Sequence, residues 1–373
     1  KIFLAFFIGS EPMEAGMNIL GAHIDSPRLD LKQNPLYEDN GFAYLDTHYY
    51  GGIKNYQWVT TPLALHGVVV KKDGTSVNIV IGEDLSDPVL CITDLLIHLS
   101  QERMPLPAAK VIEGESLDIM IASKPFGSEE DDVKDPVKET VLSLLKEKYG
   151  IDEADFVSAE IECVPAGPAR EMGLDRSMLL GYGHDDRSCA FAQFWAMKNM
   201  VEEGIIPDRT CIAYYADKEE IGSVGATGSH SRFFENAIAE LCALEEGKLP
   251  LELKVRRTLQ NSCVLSSDVS SAYDPLYASA FAKNNVAKLG HGISFMKYTG
   301  SRGKSGCNDA NPEFIAKVRK VMDDNNVSFQ TAELGRVDQG GGGTIAKYCA
   351  DLDMEVLDAG ICVQNMHACY ETA

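Results

Sequence analysis

TCIAYYADKEEIGS, residues 210–223, is a short apolar run that stops at an acidic turn, and the design recurs in MNILGAHID at 17–25 and SCVLSSD at 262–268. Runs of this length are too short for buried helices and fit strands covered on both faces, as in a sheet with helices above and below it. KIFLAFFIG at 1–9 and MEVLDAGICV at 354–363 are two more such runs, the first expected to be a buried strand. Amphipathic stretches lie between them. AFAQFWAMKNMVEEG, 190–204, puts Phe191, Phe194, Trp195, Met197 and Val201 on one side of a helix that stops at Gly204. NPEFIAKVRKVMDDN, 311–325, predicts a helix capped by Asn311, with Pro312 at its first position and Phe314, Ile315, Val318 and Val321 at helical spacing. Alternating strands and helices indicate an α/β chain.

From about residue 33 to 163 the texture changes to turn-rich, β-like segments such as LALHGVVVKKDGTSVNIVIG, where Asp73 and Gly74 predict a hairpin turn. This reads as an inserted β-rich domain, 33–163, inside a discontinuous domain made of 1–32 and 164–373. Within the insert, SEEDDVKDPVKETVLSLLKEKYG, 128–150, is expected to begin as an acidic solvated loop and continue as a helix.

The 373 residues suffice for two such domains, and 34 basic against 56 acidic residues give a net charge of −22. That field repels nucleic-acid backbones and anionic membranes, so neither is an expected partner. No apolar run reaches the ~20 residues of a membrane helix. No small-residue cleavage site separates KIFLAFFIGS from Glu11 and Glu14, so the opening is read as a strand rather than a signal segment. Beginning at a lysine, the chain reads as a fragment without its natural N-terminus. Ten scattered cysteines with no C-x-x-C pair indicate reduced, mostly buried thiols and a cytoplasmic protein.

The chemistry is concentrated where strands end. NILGA runs into His23, CIAYYA into Asp217, Glu219 and Glu220, and CVLSS into Asp268. In open α/β sheets the ligand crevice lies beyond the carboxyl ends of the strands, so these positions can converge. HDDRS supplies Asp185 and Asp186, and His367 follows VLDAGICV. Two divalent ions need a bridging carboxylate, one imidazole and one further carboxylate each, and a carboxylate outside the ligand set to take a proton from water. Adjacent Glu219 and Glu220 can divide the last two tasks by pointing to different sides on leaving a strand. The other histidines, His48, His66, His98, His184, His230 and His291, are read as structural or surface residues.

Four ordered segments, GAHIDSPRLDLK, DKEEIGS, the GGGGT of VDQGGGGTIAKY, and QNMHACYE, resemble the aspartyl aminopeptidase family of dimetal metallopeptidases, in particular its bacterial branch, from near residue 1 to the end. The resemblance implies a mixed-sheet zinc-peptidase catalytic domain with an inserted dimerisation domain. It implies His23, Asp268 and Asp185 on one ion and Glu220, His367 and Asp185 on the other, with Asp185 bridging. Asp25 would orient His23, Glu219 would be the general base toward a metal-bound water, and a cis bond would join Asp185 to Asp186, which stands where many members have Asn. The implied activity is removal of the N-terminal residue from peptides, with acidic residues preferred. Assembly is implied as a homo-oligomer, a tetrahedral dodecamer.

The pattern departs after Asp268, where DVSSAYDPLY lacks the histidines many members carry. All-His and carboxylate ligands suit zinc, cobalt or manganese, with zinc the default. FMKYTGSRGKSG offers Lys297, Arg302 and Lys304, and Lys297 is the candidate to meet an acidic substrate side chain or the scissile carbonyl. GGGGT lacks the Lys and Ser or Thr of a phosphate loop, so close backbone packing near the site is its expected role. A deacylase or carboxypeptidase on the same metal scaffold, or a non-catalytic shell protein, are the competing readings.

Overall fold

The computed structural model describes residues 1–127, 133–245, 247 and 249–373. The acidic stretch 128–132 lies outside the described residues. The chain divides into two compact units: Lys1–Ser26 with Met172–Met366 and Glu371–Ala373, and Pro27–Glu171 with His367–Tyr370.

The first unit is built on a seven-stranded mixed sheet. Its spatial order is Phe3–Phe7, Cys211–Ala216, Asn18–His23, Cys263–Ser266, Glu355–Gly360, Ile293–Met296 and Phe329–Thr331. The four strands Cys211–Ala216, Asn18–His23, Cys263–Ser266 and Glu355–Gly360 run parallel to one another. Their carboxyl ends therefore share one edge, which is what brings the strand-end residues together. Alternation sorts the side chains: Ile212 and Tyr214 face one layer, Ala213 and Tyr215 the other. On the first face Ile19, Ile212, Tyr214 and Val264 pack against Phe234, Ile238, Val255 and Leu259 from the helices Phe233–Leu244 and Leu251–Gln260. On the opposite face Cys189 and Ala190 of the helix His184–Glu202 meet Ala22, Ala213 and Tyr215, while Phe314 and Val318 of the helix Pro312–Asp324 meet Phe295, Leu357 and Ala359.

Three details correct the sequence reading. The strand Phe3–Phe7 is not buried: it pairs antiparallel at the sheet edge, and Phe3 is 56% exposed. The helix His184–Glu202 ends before Gly204, which adopts φ +64°, but turns its large apolar side outward. Phe191 and Val201 are 61% and 60% exposed, whereas Cys189, Ala190 and Gln193 are buried. Asp185 and Asp186 are buried at the start of this helix, which sets its rotation, and the small residues one turn on permit close approach to the sheet. Finally, Asn311 precedes Pro312 as expected but gives no side-chain cap; its amide donates to Glu355 Oε1 at 3.0 Å, and Val321 is exposed.

The second unit holds a six-stranded sheet in the order Ser76–Ile81, Leu63–Val70, Ala159–Pro165, Arg28–Asp39, Phe42–Tyr50 and Ile119–Ala122. The Asp73–Gly74 hairpin forms as read: Gly74 takes φ +86° and Asp73 Oδ1 accepts the Thr75 amide at 2.9 Å. Its core gathers Leu29, Leu45, Trp58, Leu63, Leu65, Ile79 and Ile161 with Val137 and Val141 of the helix Pro136–Tyr149. Arg28 is buried and answered by Asp30 at 2.8 Å and Glu162 at 3.1 Å, pairing that a desolvated guanidinium requires. All ten cysteines are free; six are buried and none is fully exposed. No helix among the described residues is long and apolar enough to cross a membrane.

Candidate active site

At the carboxyl edge of the parallel strands, His23 is buried with three carboxylates against its ring. Its Nδ1–H donates to the Asp25 carbonyl at 3.0 Å, which leaves Nε2 as the lone-pair nitrogen of the neutral ring. Nε2 lies 3.1 Å from Asp185 Oδ1 and 3.8 Å from Asp268 Oδ1. Burial works against a charged imidazole here, yet Asp185, Asp25 and Asp268 together hold His23 well above its ordinary pKa.

Asp25 links this group to the next strand end. Its Oδ1 accepts the Glu219 amide at 3.1 Å and its Oδ2 the Glu220 amide at 3.2 Å. Glu219 and Glu220 do not leave a strand with alternating sides. They sit in a single 3-10 turn, Glu219–Ile221, entered through Lys218 at φ +64° and left through Gly222 at φ +90°. Asp217 faces elsewhere and accepts the Thr227 hydroxyl at 2.8 Å.

The third contribution comes from Asp185 and Asp186, joined by a cis peptide bond. Ser26 Oγ donates to the Asp185 carbonyl at 2.8 Å, and the Asp185 amide donates to Glu371 Oε2 at 3.0 Å. Asp186 Oδ2 accepts the His23 amide at 3.2 Å. Asp268 is placed by Ser267, whose amide donates to the Gly21 carbonyl at 2.6 Å, and by Gly360, where a Cβ would fall 1.9 Å from the Asp268 carbonyl oxygen. Gly360→Ala should therefore displace the Asp268 turn and destabilise the protein by about 1–3 kcal/mol, the range of overpacked cores. Melting and metal content equal to wild type in that variant would show that the turn can move aside.

These side chains form a concentrated acid site. Asp25, Asp185, Asp186 and Asp268 are buried and Glu219 and Glu220 half-buried, against one imidazole in this unit. Burial, then the like charges of Asp268 and Asp185, push Asp186 well above the ordinary carboxylate range, with His23 opposing. Burial and Asp268 do the same to Glu219, again against His23. An acidic cluster this buried is unfavourable unless positive charge enters it. In two trios, His23–Glu219–Glu220 and His23–Asp186–Asp268, one ligand-type atom from each residue lies within 4.8 Å of the others. The donor set, imidazole and carboxylate without thiolate, fits a divalent first-row metal.

His367 belongs to the second unit, where its Nδ1–H donates to the Gly52 carbonyl at 2.9 Å, leaving Nε2 as its lone-pair nitrogen too. Lys297 is exposed and already ion-paired with Asp309, which also takes Lys304 at 2.9 Å. His184 is engaged by Ser188 at 2.9 Å and His66 by Glu83 at 2.7 Å. Sequence reasoning missed Glu371 and gave Asp186 no ligand role. Asp186 stands in HDDRS and Glu371 ends QNMHACYE, but nothing in the sequence shows that Glu371 meets the Asp185 amide 186 residues away.

The chain matches the family described as Aminopeptidase I zinc metalloprotease (M18) across residues 1–373. A probable M18 family aminopeptidase 1 of Clostridium acetobutylicum is 57% identical over 371 residues, covering 100% of this chain and 78% of that protein. The crystal structure of aminopeptidase I from Clostridium acetobutylicum superposes with a TM-score of 0.93 at 54% identity, covering 100% of this chain and 79% of the other. That of an M18 aminopeptidase from Thermotoga maritima gives 0.94 at 44% identity, covering 100% and 80%. With fold, strand-end acids and relatives in agreement, the chain belongs to the M18 family of metallo-aminopeptidases.

Proposed function

We propose that this chain removes the first residue from peptides using two divalent ions, zinc by default, with Glu219 as general base. The observation that supports this best is the Asp25 carboxylate, which receives both the Glu219 and the Glu220 amides while the Asp25 backbone carbonyl fixes His23. One residue thereby sets the register between two strand ends.

In this reading His23, Asp268 and Asp185 would hold one ion and Glu220 would help to hold the second, as the family resemblance implies. A metal held there would supply a Lewis acid for the scissile carbonyl and would lower the pKa of the attacking water. Glu219 accepts a proton from that water and returns it to the departing amine nitrogen. Burial supports this task, since a raised carboxyl pKa brings the base nearer to the operating pH. Lys297 is proposed to meet an acidic first side chain by exchanging its pairing with Asp309. Self-association through the inserted unit, into a tetrahedral dodecamer, is carried forward from the family resemblance, and a cytoplasmic location from the scattered cysteines.

Aminoacyl-anilides with acidic, basic and apolar first residues test the reading on chelated protein given back zinc, cobalt or manganese. Loss of hydrolysis on chelation and recovery with metal are expected, with acidic residues preferred and N-acetylated substrates refused. Hydrolysis of the N-acetylated series instead would make the chain a deacylase.

A further inference from the structure

Asp358 is completely buried in the Glu355–Gly360 strand, and nothing in the mechanism above uses it. Its cross-strand neighbours are Ser266, two residues before Asp268, and Met296, one residue before Lys297. A carboxyl group in that position must be answered by polar partners. Burial raises it to about 7, and Thr344 and Ser266 favour its charged form. Thr344, itself buried, donates its hydroxyl to Asp358 Oδ1 at 2.7 Å and accepts the Ala346 amide at 3.2 Å.

Thr344 ends the glycine run 340–343, and Gly340 and Gly341 of that run have backbone closer than a side chain would allow. A Cβ on Gly340 would fall 1.8 Å from the Leu334 carbonyl oxygen. At Gly341, φ +113°, it would fall 2.7 Å from the backbone of Gly300 and Ser301. The Gly342 amide donates to the Thr299 carbonyl at 2.9 Å. The run is thus pressed against the loop that starts at Lys297, and among the described residues its side-chain tie to the sheet is the Thr344–Asp358 hydrogen bond.

We propose that Asp358, acting through Thr344, is a positioning residue of the peptidase reaction: it fixes the glycine run and, through it, the Lys297–Ser305 loop that receives the first residue of the substrate. This rests on the substrate-side reading of Lys297 given above. In this proposal Asp358 and Thr344 act through the glycine run and not by contact with substrate. Losing their bond should loosen binding of the first side chain and leave proton transfer at Glu219 alone, so KM moves and kcat does not.

Thr344→Val keeps the shape and removes the donor, and Thr344→Ser keeps the donor. The expected result is a roughly tenfold higher KM and a flattened first-residue preference in Thr344→Val, with kcat and metal content within twofold of wild type, and wild-type KM in Thr344→Ser. Wild-type KM in Thr344→Val overturns the proposal, as does a fall in kcat with metal loss at constant KM, which would assign the bond to the Asp268 side. Should Thr344→Val not fold, Gly341→Ala displaces the same run and must raise KM while Gly342→Ala, whose Cβ meets nothing within 4 Å, does not; equal KM in both overturns it. Lys297→Met run alongside separates the two readings. Unchanged preference there removes the Lys297 reading, whereas the Thr344→Val KM decides the positioning role by itself.

Discussion

Glu219→Gln should lower kcat by about 10²–10⁴-fold, the usual contribution of a positioned general base, while KM and metal content stay near wild type. The amide matches the carboxylate in shape and cannot take a proton. Its backbone is unaffected, because the Glu219 N–H is what Asp25 holds, so the turn and the neighbouring Glu220 keep their places. Steady-state kinetics on the best anilide, together with metal analysis of the same preparation, decide the matter. A variant that loses metal in step with activity would place Glu219 among the ligands. One that keeps full turnover would remove the base from this position.

Asp268→Ala should act on the opposite side of the same distinction, through metal occupancy. Asp268 Oδ1 is 3.8 Å from His23 Nε2, and removing it leaves the imidazole facing Asp185 and, on the proposed assignment, one ligand position unfilled. Loss of an outer-shell partner typically costs 10–100-fold in metal affinity, and loss of a ligand should cost more. Metal retained after gel filtration, and the free metal concentration needed to restore activity, are the measurements. Recovery of near-normal kcat at high free metal is expected, since Glu219 remains. Full stoichiometry at low free metal would mean that Asp268 is not a ligand.

The strand ends were legible because two local signals coincide there: a short apolar run, then a residue type that apolar surroundings do not tolerate. His23, Glu219, Glu220 and Asp268 all follow that pattern, and the parallel register of their strands explains why they meet. Other features were not readable. Helical periodicity showed that Phe191, Phe194, Trp195 and Val201 share a side, but periodicity is silent on whether anything covers that side. The edge position of Phe3–Phe7 depends on pairing with a strand some two hundred residues away, which an apolar run does not encode. Glu371 meets the Asp185 amide and Asp358 the Thr344 hydroxyl only once the chain is folded, and sequence spacing does not encode those pairings.

The convergence of strand ends around His23 also ties ion supply to the fold as a whole. The residues that meet there come from segments 23–26, 185–186, 219–220 and 268, so the open chain offers no such arrangement. An ion that binds the closed arrangement alone adds RT ln(1 + [L]/Kd) to stability, about 4 kcal/mol at a thousandfold excess over Kd. That is a sizeable share of the roughly 5–15 kcal/mol by which ordinary proteins stay folded. The melting temperature of this chain should therefore rise with free metal concentration, and its lifetime against proteolysis should follow the same variable.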